Sequence, residues 1–267
     1  MQPGPIYFLT PRKCSVFGVN CEAIPRQINF LTDESGEAGR GANAVVSRLH
    51  YFFDTHGLGE RHAHLHADNC KGQNKNTVMG YFMWRVLTGR HTDITYSFLV
   101  VGHTKFSPNW CFGLFKRLYK RTRVSSMADI AEVVERSAVC NTAQLVWDED
   151  TEYVPTHDWA AFLAPHIRKI AGIKQYHHFR FTSASPGTVY VRMYADSEER
   201  SLSLLKEDWQ PNPSSLPPYI QPKGLSDERQ WYLYEKIRPF CSELQKEIVC
   251  PRPTSPNPKR RPIPDDI

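Results

Sequence analysis

The stretch from His62 to Asn76, His-Ala-His-Leu-His-Ala-Asp-Asn-Cys-Lys-Gly-Gln-Asn-Lys-Asn, restricts the folds open to this chain more than any other. Alternation of His62, His64, His66 and Asp68 with Ala63, Leu65 and Ala67 fits a short strand with two unlike faces. Asn69, Gly72 and Asn74 then break the strand, and the run from Asn76 to Leu87 has the apolar content of a helix. A carboxylate at the C-terminal end of a strand, facing the turn before a helix, lies where open α/β sheets hold their ligands. Asp68 is therefore the first candidate for a functional residue.

The flanking sequence extends the pattern on both sides. Segments 6–10, 14–21 and 27–32, rich in β-branched and aromatic residues, predict three consecutive strands, and 42–53 predicts a helix ending near Gly57. After the helix at 76–87, the continuous apolar run 94–101 predicts a strand buried on both faces, as in a parallel sheet. Ser107 as N-cap and Pro108 at the first helical position start a helix running to about Tyr119, which puts Asn109 in its first turn. Weaker signals place helices at 127–139 and 158–170 and strands at 176–181 and 188–194. Proline-rich 210–222 reads as a linker or surface strap, and a helix starting at Ser226 should kink at Pro239. The segment 251–267, with Lys259, Arg260 and Arg261, reads as disordered. These divisions give a core at 1–125, an α+β extension at 126–209, a linker and helix at 210–250, and a basic tail of the kind that carries nuclear import signals.

At 267 residues, 40% hydrophobic and 23% charged, the chain is long enough for one large domain with an appendage. It lacks an apolar run able to span a bilayer, and residues 1–6 lack a secretory pattern, so a soluble intracellular protein is expected. Seven scattered cysteines without a Cys-x-x-Cys pair argue against both a disulfide framework and a standard zinc site. A net charge of +5 is mild, so any case for nucleic acid rests on where the charge sits. It sits on Lys116, Arg117, Lys120, Arg121 and Arg123, in a stretch without Asp or Glu between Asp93 and Asp129. Such a run is either a solvated helix face or a surface for a phosphate backbone.

Three strands, helix, strand, helix, strand, helix is the order of the ribonuclease H fold, a mixed sheet flanked by helices. The motifs Asp68-Asn69-Cys70-x-Gly72-Gln73-Asn74-Lys75-Asn76 and Gly102-His103-Thr104-Lys105-Phe106-x-Pro108-x-Trp110-Cys111-Phe112-Gly113 resemble a family of transposon-derived animal proteins related to DDE-type transposases. That resemblance implies three carboxylates holding two divalent ions, Mg²⁺ or Mn²⁺, for phosphodiester cleavage or strand transfer. Asp68 matches the second carboxylate. The third falls at Asn109, where the family carries Asp, and the first belongs to a strand before Gly4 that this chain is expected to lack. An amide offers a metal a neutral oxygen and no charge. The expectation is a degenerate site on a domain that binds DNA or another nucleic acid, or serves as an interaction module.

Two other readings stand beside it. One is an active metal-dependent nuclease in which Asp68 pairs with Glu22, Asp33 or Glu34; the other is a non-functional fragment. Asp68 also suits an Asx turn, His62, His64 and His66 suit a transition-metal site with Asp68, and Cys70 with His103 suits a thiol nucleophile and base.

Overall fold

The computed structural model describes residues 4–38, 41–68, 75–99, 106–148 and 151–258. In chain order the elements are β1 (Cys14–Cys21), β2 (Arg26–Asp33), α1 (Ala42–Tyr51), β3 (His62–Ala67), α2 (Lys75–Leu87), β4 (Asp93–Phe98), α3 (Ser107–Tyr119) and α4 (Met127–Ser137). Then follow β5 (Asn141–Asp148), β6 (Thr151–Glu152), α5 (Trp159–Leu163), β7 (His178–Thr182), β8 (Thr188–Arg192), β9 (Arg200–Ser203), α6 (Asp227–Tyr232) and α7 (Lys246–Val249). The protein is a mixed α/β structure with two mixed sheets, ordered β1-β2-β5-β6 and β3-β4-β7-β8-β9. A single sheet was the expectation from the element order.

The sheets belong to two compact units that interleave in sequence. Unit 1 takes residues 1–37, 107–154 and 222–267, and unit 2 takes 38–106 and 155–221. The linear boundaries expected near 125 and 209 do not coincide with either unit.

In unit 1, β2 is buried along nearly its whole length because it lies between antiparallel β1 and parallel β5. Polar side chains accompany the pairing. Gln27 Nε2 donates to Asn29 Oδ1 at 2.9 Å, and Asn29 Nδ2 donates to Asn141 Oδ1 at 3.4 Å. Asn141 Nδ2 in turn donates to Ser137 Oγ at 2.8 Å and to the Cys111 carbonyl at 3.2 Å, tying the strand pair to α3 and α4. A buried amide left without partners would cost roughly 1–3 kcal/mol, so this network specifies the register. Leu31 packs with Phe115, Met127, Val133 and Val134. Helix α4 starts at a capping box in which Ser126 and Asp129 satisfy each other's backbone N–H.

In unit 2, α2 is buried on every side, with Met79, Tyr81, Phe82, Met83 and Trp84 wholly inaccessible. A helix apolar all round has to be covered all round. It packs against α1, α5, β4 and β7. The 210–222 segment is a strap, held where Asp158 N–H donates to the Pro218 carbonyl and Ile220 N–H to the Thr156 carbonyl, both at 2.8 Å.

Several expectations are corrected. Residues 5–8 form a 3₁₀ turn, since Pro at its start fixes a helical φ and Tyr7 N–H bonds to the Gly4 carbonyl. The helix expected at 158–170 stops at Leu163. Strand β4 has a half-exposed face at Asp93 and Thr95, because its second neighbour, β7, is antiparallel. Strand β5, missed in the sequence, has a weak apolar alternation interrupted by Gln144 and is specified by its buried Asn141. Residues 251–258 are not disordered: the Trp231 indole N–H donates to the Ser255 carbonyl at 3.0 Å and Asn257 Nδ2 to Glu235 at 2.8 Å. The basic run at 259–261 lies outside the described residues.

Two glycines of unit 1 should respond oppositely to alanine. A methyl group on buried Gly36 would sit 1.9 Å from the Trp147 ring, whereas one on Gly113, within α3, meets nothing within 4 Å. Gly36→Ala is expected to destabilise by about 1–3 kcal/mol through overpacking. Gly113→Ala should stabilise by roughly 0.5–1 kcal/mol through helix propensity. Urea titration of both variants checks the pair of signs.

Candidate functional site

Strands β3 and β4 are adjacent and parallel, with Ala67 opposite Phe98, so Asp68 stands immediately past the C-terminal end of a parallel pair. Its side chain is exposed, as are His62, His64 and His66 on the same face, while Ala63 turns into the core. The register continues across the sheet, aligning His66 with Ser97, His178 and Arg192. His62 Nδ1 lies 3.0 Å from Asp93, and His178 Nδ1 lies 2.9 Å from the Ser97 hydroxyl. Burial, followed by the neighbouring His177, Arg192 and His66, lowers the His178 pKa, keeping that ring neutral near pH 7. Arg180 and Arg192 both pair with Glu199. The face is thus a polar, histidine-rich surface beside Asp68.

Two residues of the Asp68 motif hold the fold together. Lys75 is buried with Nζ 3.8 Å from the centre of the Phe98 ring, and desolvation lowers its pKa. Asn76 Oδ1 accepts from the Ile170 N–H at 2.9 Å. Asn69, Cys70, Gly72, Gln73, Asn74, His103 and Lys105 lie outside the described residues, and with them the Cys70–His103 pair.

Among the described residues, no group of three His, Cys, Asp or Glu side chains could hold a metal ion. Asp68 belongs to unit 2 and Asn109 to unit 1. The alternative acids are engaged within unit 1: Asp33 receives Arg12 in a bidentate pair at 2.7 and 2.8 Å, Glu34 receives Arg229, and Glu22 accepts from Ser107 Oγ at 2.7 Å. A carboxylate already neutralised by a guanidinium is a poor additional ligand for a hard divalent cation.

Helix α3 provides the clearest charged surface. Cys111 and Phe115 face inward, and Lys116, Arg117, Lys120, Arg121 and Arg123 are all exposed. None of the five forms an ion pair among the described residues. Lys116 and Arg117 lie in the last turn of α3, and Lys120, Arg121 and Arg123 follow its end, which crowds like charges in one short stretch without a ligand to offset them.

A polar network around Arg85 was not legible in the sequence. Arg85, from fully enclosed α2, is buried and donates from Nε to His91 Nδ1 at 3.1 Å and from Nη1 to the Tyr81 hydroxyl at 3.1 Å and Asp54 at 3.2 Å. His50 sits between Arg85 Nη1, at 3.4 Å from Nδ1, and Asp54, at 3.3 Å from Nε2. Both histidines are neutral by construction, because a guanidinium N–H needs the ring nitrogen as acceptor. Burial is the main cause that pushes each pKa down to about 4; Asp54 opposes it at His50, and Arg85 reinforces it at both.

Residues 26–199 match the family described as a domain of unknown function, DUF7869, and the chain belongs to that family. No curated protein matches it, and no solved structure does. Among the described residues, no helix is long and apolar enough to cross a membrane.

The Arg85 network sets an acid limit. An unfolded histidine titrates near 6.5, so between pH 6.5 and 4 the unfolded chain binds protons that folded His50 and His91 refuse. Their contribution is complete above pH 6.5 and is lost as pH falls toward 4, on the order of 3 kcal/mol for each histidine acting alone. His91→Gln, whose amide oxygen can still accept from Arg85, should flatten the loss of melting temperature across that window. An unchanged slope would remove His91 from the account.

Proposed function

We propose that this chain is a transposase-derived, ribonuclease H-like domain of the DDE type whose metal site has degenerated and which binds nucleic acid. The observation that carries the reading is the surface at the C-terminal end of α3 and in the turn after it, where five exposed cations have no ion-pair partner among the described residues. A phosphate backbone would neutralise them and release counterions. Support for the ribonuclease H-like ancestry comes from the parallel β3–β4 pair that ends at Asp68 and from the placement of Asn109 in the first turn of the next helix.

A second reading, a divalent-metal-dependent nuclease or strand-transfer enzyme, draws on the exposed Asp68 at the end of a parallel strand pair. The arginine partners of Asp33 and Glu34 count against it. It requires DNA cleavage with Mg²⁺ or Mn²⁺ that disappears in Asp68→Ala.

Two measurements test the proposal. Binding of labelled DNA should weaken at least tenfold in the quadruple variant Lys116→Gln, Arg117→Gln, Lys120→Gln, Arg121→Gln. Its dependence on log salt should become shallower by up to about 3 for a single strand. Affinity unchanged in the variant would overturn the reading. Separately, the parent should gain little thermal stability from Mn²⁺, and Asn109→Asp should gain more if residue 109 belongs to a metal site; equal responses would detach Asn109 from any such site.

A further inference from the structure

Resting on the nucleic-acid reading, the strand state of the ligand follows from a residue that the charge argument does not use. Trp110 lies in the first turn of α3 with 62% of its surface exposed. No ring contact, hydrogen bond or cation–π partner holds it among the described residues. The other tryptophans for which such contacts are recorded, Trp84, Trp159, Trp209 and Trp231, pack against other rings. Leaving most of an indole in water forgoes a large share of the roughly 2–3 kcal/mol that burial of a large apolar side chain provides.

The surface around it is cleared on one side. Gly113 is Trp110's neighbour one turn along, and a methyl group there would meet nothing within 4 Å among the described residues, so none of these shields the ring in that direction. Along the helix, exposed Lys116 and Arg117 follow Trp110 at six and seven residues, and exposed Lys120 and Arg121 lie in the turn that ends it. At 1.5 Å per residue the line from Trp110 to Arg117 covers about 10 Å, the axial length of about three phosphates on one stacked strand. An aromatic plane at one end of a cationic track is the pairing by which proteins hold unpaired nucleotides: the ring stacks on a base and the cations follow the backbone. In a duplex the base faces are already stacked on each other and offer the indole nothing.

We propose that α3 and the turn after it bind single-stranded nucleic acid, or unpaired bases at the end of a duplex, with Trp110 stacked against a base and Arg117, Lys120 and Arg121 on the phosphates that follow.

The test uses the whole chain and fluorescence anisotropy of labelled oligo(dT) and of a blunt duplex of equal length, at several salt concentrations. The expected result is tighter binding of oligo(dT) than duplex, weakened roughly five- to hundredfold in Trp110→Ala. The salt dependence should stay unchanged, because no cation is lost. Trp110→Phe should retain most of the affinity, which separates stacking from a folding defect, and circular dichroism melts of each variant confirm the fold. Equal affinity of Trp110→Ala and parent for oligo(dT), with salt dependence intact, overturns the stacking assignment and leaves the nucleic-acid reading standing. Preference for blunt duplex does the same. Absence of salt-dependent binding to either oligonucleotide overturns both.

Discussion

The enclosure of α2 governs unit 2. Its sequence from Val78 to Val86 presents apolar or aromatic groups in every direction, and the one cation within it, Arg85, is buried too. A strand pair on one side and α1 on another leave part of such a helix in water, so residues 155–221 must return to close the remainder. They do so with α5, whose Trp159 meets Tyr81 and Trp84 at ring distances of 5.0 Å, and with Ile167 and Leu163 against Gly80. The glycine matters at this point because a side chain there would hold the returning segment away. Arg85 is tolerated because its donors reach Asp54, Tyr81 and two neutral histidine nitrogens.

What the sequence made legible was whatever has a short period and a clear boundary. β3 alternates strictly, α3 begins with Ser-Pro, and the helical signal at 127–139 corresponds to α4; all are found within a residue or two of the expected place. What was not legible depends on partners far along the chain. The apolar 6–9 run reads as a strand until proline sets the backbone. β5 is specified by amide contacts to β2, 112 residues away for Asn29 and Asn141, which no local pattern reveals. The same holds for the candidate site. The charge at the end of α3 could be read from the sequence, whereas the absence of ion partners among the described residues and the exposure of Trp110 required the tertiary structure. The Arg85 network joins residues 50, 54, 81, 85 and 91, and of these only the i,i+4 pair of His50 and Asp54 and that of Tyr81 and Arg85 are neighbours by sequence rule.

The motif around Asp68 divides into two kinds of residue. Lys75 and Asn76 are engaged in packing and in a backbone bond, so they serve the fold of this chain whatever its activity. Asp68 is exposed at the end of β3 and helps to raise the pKa of buried Tyr96.

The interleaving of the two units has a consequence for synthesis. Unit 2 is complete once residue 221 has left the ribosome, but unit 1 holds β1 and β2 waiting for β5 and then for α6 and the segment through 258. Arg229 reaches Glu34 across 195 residues and Arg12 reaches the Val249 carbonyl across 237. Contacts of that span close last, after β5 has emerged to pair with β2 and after unit 2 is complete. The order of emergence thus leaves the first unit able to pair its sheet early but without its closing C-terminal segment until the end of synthesis of that segment.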